Sequence, residues 1–100
     1  MRILEIRYRV LTGEIDLIAL DRDTLVFVEV KTQTSDELLD PEDRVNRQKR
    51  TRMTRAAKHY IKQKGLEDAP CRFDVVTVIF DAAGKSQTRH TRDAFLPERW

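Results

Sequence analysis

Residues 25–32, Leu-Val-Phe-Val-Glu-Val-Lys-Thr, limit what this chain can fold into more than any other stretch. β-branched and aromatic side chains dominate it, which suits a pleated strand. The apolar character is nearly continuous, as in strands covered on both faces, so this strand is expected at the centre of a sheet. Yet it carries Glu29 and Lys31. An uncompensated carboxylate at such a position is expensive to bury.

The neighbouring segments supply the rest of a sheet. Residues 3–10 alternate, with Leu4, Ile6, Tyr8 and Val10 on one face and Glu5, Arg7 and Arg9 on the other, the period of a half-buried strand. Thr12 and Gly13 break that pattern, and a second strand is expected from about Glu14 to Leu20. Asp21-Arg22-Asp23 is a polar turn before the third strand. After a polar stretch at 34–40, Asp40-Pro41 offers an N-cap followed by proline at the first helical position. A long helix should run from there to about Lys64, with Gly65 as its C-terminal stop. A strand over 72–80, a turn at 81–84 and a short last strand over about 87–92 would form a hairpin. The tail from Asp93 reads as irregular or a short helical turn. Three strands, a helix and two strands describe an α/β domain with a mixed sheet. At 100 residues, the chain is expected to form a single domain over 1–100.

On the second strand, alternation puts Glu14, Asp16 and Ile18 on one face, and Ile15, Leu17 and Ala19 on the other. On the third it puts Phe27, Glu29 and Lys31 together. A hairpin through the Asp21–Asp23 turn would bring Asp16 and Glu29 close, with Lys31 beside them. Solvated charges on an amphipathic hairpin are the plain alternative. Against it, adjacent carboxylates repel each other and raise each other's pKa unless a cation lies between them. Mg²⁺ (or Mn²⁺) would relieve that conflict, since hard cations favour carboxylate and carbonyl oxygens and keep positions for water and phosphate. Asp16, Glu29 and the Val30 backbone carbonyl are the expected metal ligands. Asp16, Glu29 and Lys31 are the expected catalytic set, the lysine stabilising charge that develops on phosphate.

The segments Gly13–Ala19, Leu25–Lys31 and Arg72-Phe73-Asp74-Val75-Val76, in that order, closely resemble the YraN family of small bacterial proteins. The resemblance runs from about Ile3 to Phe95. It implies a restriction-endonuclease-like PD-(D/E)xK fold, a mixed β-sheet flanked by helices, related to Holliday-junction resolvases. It also implies metal-binding roles for Asp16 and Glu29, a catalytic role for Lys31, and frequent family positions at Glu14 and Asp74. Family members usually begin with a helix whose glutamate approaches the metal. Here the first strand starts almost at Met1, so that N-terminal helix is expected to be missing and one sheet face bare. A homodimer would cover such a face.

Net charge is only +2, so bulk charge does not announce a nucleic-acid binder. The distribution does. From Arg44 to Lys64 the basic residues are Arg44, Arg47, Lys49, Arg50, Arg52, Arg55, Lys58, Lys62 and Lys64, with no acidic residue among them. Val45, Met53, Ala56, Ala57, Tyr60 and Ile61 form the apolar stripe. Arg44, Arg47, Arg55 and Lys58 are expected to meet phosphates from another side. A solvated face is the alternative, although like charges at i,i+4 cost a few tenths of a kcal/mol per pair. Lys49 sits in one row with Val45 and Met53, so it either reaches a phosphate at the active site or snorkels at the helix edge.

The single cysteine, Cys71, excludes internal disulfides and multi-cysteine zinc sites, and reads as a structural thiol. His59 and His90 have no partner at metal-ligand spacing. Tyr8, Phe95 and Trp100 read as core. With no long apolar run, neither a signal peptide nor a membrane span is expected, and the cytoplasm is the expected compartment. The leading expectation is a metal-dependent endonuclease acting on DNA, branched or single-stranded forms included. The alternative is a non-catalytic nucleic-acid-binding module that keeps the nuclease fold, or a partner-binding protein whose charges are incidental.

Overall fold

The computed structural model describes residues 1–35 and 46–98. Within them lie five strands and one helix: β1 (Arg2–Val10), β2 (Gly13–Asp21), β3 (Thr24–Thr34), α1 (Arg47–Lys64), β4 (Cys71–Phe80) and β5 (Ser86–Phe95). The sheet order follows the chain, β1-β2-β3-β4-β5. β1–β2, β2–β3 and β4–β5 pair antiparallel, whereas β3 and β4 are parallel. A parallel neighbour needs a crossover, which α1 supplies. The result is a mixed-sheet α/β fold consistent with the restriction-endonuclease-like class, with β3 at its centre as its apolar run requires.

α1 covers one face of the sheet. Met53, Ala56, Ala57, Tyr60 and Ile61 pack with Ile15, Ile18, Leu25, Phe27 and Phe73. Tyr60 meets Phe27 edge-on and Phe27 lies against Phe73, which stacks on Phe95 at 5.1 Å. On the opposite face Ala19, Val26 and Val28 are buried, with Leu17 and Val76 packed beside them. Around them Ile3, Ile6, Val30 and Phe80 remain exposed, so that face is bare only in part.

Three expectations change. The described helix starts later than Pro41: Asn46 is its N-cap, with an extended backbone and a side-chain oxygen that accepts the Lys49 N–H at 2.9 Å. Asp40, Pro41, Arg44 and Val45, like Trp100, lie outside the described residues. The tail from Asp93 is not irregular, because β5 continues to Phe95, which pairs with Phe73. A bulge opposite Asp74 absorbs the extra residues, and Asp93 takes φ 49° there.

The third change concerns β2. Ile15 and Ile18 share the helix-facing cluster, although simple alternation separates them. Leu17 and Ala19 belong to the other face. β1 and β2 turn over at one step. Arg7 and Asp16 lie between the pairs Ile6↔Leu17 and Tyr8↔Ile15, and Arg7 has φ 53°. A left-handed conformation costs a non-glycine residue about 1 kcal/mol, so the surrounding pairing must hold it.

Both histidines also have hydrogen-bond partners, which the sequence did not reveal. The Tyr8 hydroxyl lies 2.7 Å from His59 Nδ1. His90 Nε2 lies 2.7 Å from Asp74 Oδ2.

Candidate functional site

Asp16 sits where the β1–β2 step turns over, and its side chain replaces part of the sheet ladder. Its Oδ2 accepts the Val30 amide at 2.8 Å. The β2–β3 pairing runs as far as Leu17↔Val28, and beyond it the Asp16 carboxylate takes the Val30 amide, so Asp16 lies beside Glu29 and its charge reaches that carboxyl. In an antiparallel pair the N–H and C=O of one residue leave by the same edge. The Val30 carbonyl is therefore directed toward the Asp16 side of β3.

Glu29 follows Leu25 and Phe27 on the helix-facing side, and its side chain is only 5% exposed. Burial is the main reason its carboxyl is pushed above the ordinary 4.5, and the negative charge of Asp16 adds to the shift. Lys49 opposes it: its Nζ pairs directly with Glu29 Oε1. Lys31, one turn of the pleat further along β3, stands 3.8 Å from the same oxygen. Burial lowers the Lys49 pKa, but its hydrogen bond to Glu29 and the charges of Glu29 and Asp16 outweigh that and leave it raised. Two carboxylates and two ammonium groups therefore share one corner of the fold. Glu29 and Lys49 line a pocket of about 310 Å³ together with Glu14, Asn46, Gln48, Arg52 and Met53.

Asp16, Glu29 and Lys31 are thus brought together, and Lys49 reaches the carboxylate of Glu29. Glu14 joins the pocket wall, held by Arg9 at 3.5 Å and Arg52 at 3.9 Å. The basic residues of α1 divide. Arg47, Arg52 and Arg55 line a shallow concavity next to that pocket. Lys58 is exposed but lines a different hollow with Ile61, Glu67, Ala69 and Cys71. Arg50 turns away from the ridge to pair with Glu98 at 3.0 Å. Thr54 is buried because its hydroxyl donates to the Arg50 carbonyl and accepts the Glu98 N–H. The thiol of Cys71 is pushed up by burial, as befits a packing group.

Asp74 is the residue sequence reasoning placed least well. It is fully buried. Arg72 Nε donates to its Oδ1 at 3.0 Å, the Asp93 amide to the same oxygen at 3.1 Å, and His90 meets Oδ2. Arg72 also reaches Asp21 at 3.0 Å. This cluster lies on the face opposite Glu29, since Asp74 and Val76 alternate with Val75 on β4. The spacing Arg72-x-Asp74, two side chains on one strand face, was the one local signal for it.

Comparison with known proteins finds relatives along most of the chain. The family model described as "Uncharacterised protein family UPF0102" matches residues 1–78. A "UPF0102 protein" of Moorella thermoacetica is 44% identical over 80 residues, covering 80% of this chain and 67% of the relative. One from Alkaliphilus metalliredigens is 45% identical over 89 residues, covering 89% and 75%. Another from Pelotomaculum thermopropionicum is 38% identical over 95 residues, covering 94% and 79%. Among the described residues no helix is long and apolar enough to cross a membrane.

Proposed function

This chain belongs to the uncharacterised protein family UPF0102, and for this member we propose a divalent-metal-dependent phosphodiesterase that acts on DNA. One observation carries the reading. Asp16, hydrogen-bonded to the Val30 amide, lies beside Glu29, in a corner where Lys31 and Lys49 both approach Glu29.

The donor set suits a hard cation. Among the described residues no group of three His, Cys, Asp or Glu side chains could hold a metal. In this reading the protein would supply two carboxylates and the Val30 carbonyl, and leave the remaining positions to water and phosphate, the habit of Mg²⁺. The upward shift of Glu29, to which Asp16 contributes, is what a bound cation would reverse. When bound, such an ion would acidify a water and offset phosphate charge. Lys31 and Lys49 would then hold non-bridging phosphate oxygens and stabilise the charge developed in the transition state. The first turn of α1 has no acidic residue of its own, so the partial positive charge of its N-terminus would add to the attraction for phosphate. Arg47, Arg52 and Arg55 supply sequence-independent backbone affinity.

The direct Lys49–Glu29 pair also favours a second reading, a non-catalytic nucleic-acid-binding module in which an ammonium group replaces the metal. One experiment separates the two. Plasmid, single-stranded and four-way-junction DNA are incubated with Mg²⁺ or Mn²⁺ and the parent, Asp16→Asn, Glu29→Gln or Lys31→Ala. The enzyme reading expects cleavage by the parent and a loss of at least about a hundredfold in each variant. Equal cleavage by all four proteins, or DNA binding without cleavage, would overturn it.

A further inference from the structure

The tip of the β1–β2 hairpin has no part in the carboxylate site, yet it is built with care. Leu11 is fully exposed there. A single exposed leucine is ordinary on a protein surface. This one differs in its surroundings: with Thr12 it forms one wall of a concavity of about 640 Å³ whose other wall is α1, presenting Arg47, Arg52 and Arg55. Among the described residues no acidic side chain lines it. Gln48 and Arg52 also line the pocket that holds Glu29, so the two hollows adjoin.

The hairpin is also held at a set distance from the helix. At Gly13 the chain passes so close to α1 that a Cβ would stand 1.9 Å from the Arg52 carbonyl oxygen. Leu11 is therefore presented by a braced element, not by a loose loop. The ion pairs that engage the cleft arginines, Arg47–Glu98 at 4.0 Å and Arg52–Glu14 at 3.9 Å, are long and exposed, and such pairs are worth little. They can yield to phosphates.

We propose that this cleft binds a nucleic-acid strand, with Arg47, Arg52 and Arg55 on its phosphates and Leu11 packed against an unstacked base. Charge selects a polyanion over a protein partner, and the apolar wall selects a polyanion that also offers an apolar face, which exposed bases do. The inference rests on the nucleic-acid reading above but not on cleavage. It adds a preference: bases that are already unpaired bind without the cost of unstacking.

The test uses EDTA, so that no metal-dependent reaction intervenes. Parent protein, Leu11→Ser and Leu11→Phe are titrated at low salt into a single-stranded oligonucleotide and a blunt duplex of equal length, each carrying 2-aminopurine. Anisotropy reports affinity and 2-aminopurine emission reports stacking. The parent should bind the single strand more tightly and change its emission. Leu11→Ser should lose about tenfold on the single strand, under about twofold on the duplex, and the emission change with it. Leu11→Phe should restore both. Parent-like affinity and emission from Leu11→Ser would refute the role of Leu11 and leave the nuclease reading intact. A Leu11 effect in a protein that never cleaves DNA would uphold the cleft and overturn the nuclease. Failure of the parent to bind either oligonucleotide would end both.

Discussion

Replacing Gly13 with alanine adds one methyl group at the point where β2 meets α1. Its Cβ would lie 1.9 Å from the Arg52 carbonyl oxygen, 2.9 Å from the Arg52 carbonyl carbon and 3.3 Å from the Ala56 nitrogen. A carbon and a carbonyl oxygen rest at about 3.3 Å or more, so the two elements must separate by roughly 1.4 Å. All three obstructing atoms are backbone, and no side chain can swing aside. Adding a methylene to a well-packed site costs about 1–3 kcal/mol, and a backbone obstruction belongs at the upper end, about 3 kcal/mol. For a domain of this size about 4–8 °C is lost per kcal/mol, so the melting temperature should fall by roughly 12–24 °C. Thermal melts followed by circular dichroism and urea unfolding measure both quantities. Asp16 is three residues along the same strand, so any folded population should also lose activity or metal affinity. An alanine variant that melts within about 2 °C of the parent would refute the close approach, and with it the braced hairpin.

Three further outcomes follow from the geometry. Asp74→Ala leaves Arg72 and His90 around an empty carboxylate site, and removing one partner of a buried charged cluster costs about 3–5 kcal/mol. Urea unfolding would reveal it, and a loss under about 1 kcal/mol would mean that the cluster is inert. Asn46→Ala removes the helix N-cap and should cost about 1 kcal/mol by the same measurement. Glu29 gives a pH signature. Its folded pKa lies above the ordinary 4.5, mainly through burial, so the folded state holds this proton more tightly than the unfolded chain. Its stabilising share is present below 4.5 and is lost as pH rises through the folded value. The parent should therefore lose melting temperature relative to Glu29→Gln across that rise. Mg²⁺ at neutral pH should restore it in the parent alone, through binding to the folded state. A constant difference between the two proteins from acid to neutral pH would contradict the burial of Glu29.

Local periodicity made most of the architecture legible. The apolar run at 25–32 marked β3 as central, and the stripe from Met53 to Ile61 marked the buried side of α1. Glu29 and Lys31 were readable as neighbours on one face because a two-residue period needs only the strand itself. Asp16 was placed near Glu29 by the same rule, but the rule assigned Ile15 to the wrong face, since nothing in residues 14–20 announces that β2 turns over opposite Arg7. The Asn46 cap was legible in principle. Asp40-Pro41 was the stronger local pattern, and which signal begins the described helix was not a local matter.

Residue types and their spacing along single elements determined the strands, the helix and the charged face of β3, because those features depend on neighbours within a few positions. Tertiary structure alone decided that Lys49 meets Glu29, that His90 meets Asp74, and that Gly13 touches Arg52. Each of these joins residues from different elements, through a parallel crossover, a bulged ladder or a helix laid on a sheet. Such meetings depend on register and approach distance, which are set by the packing of the whole sheet against α1 and leave no periodic trace in the sequence.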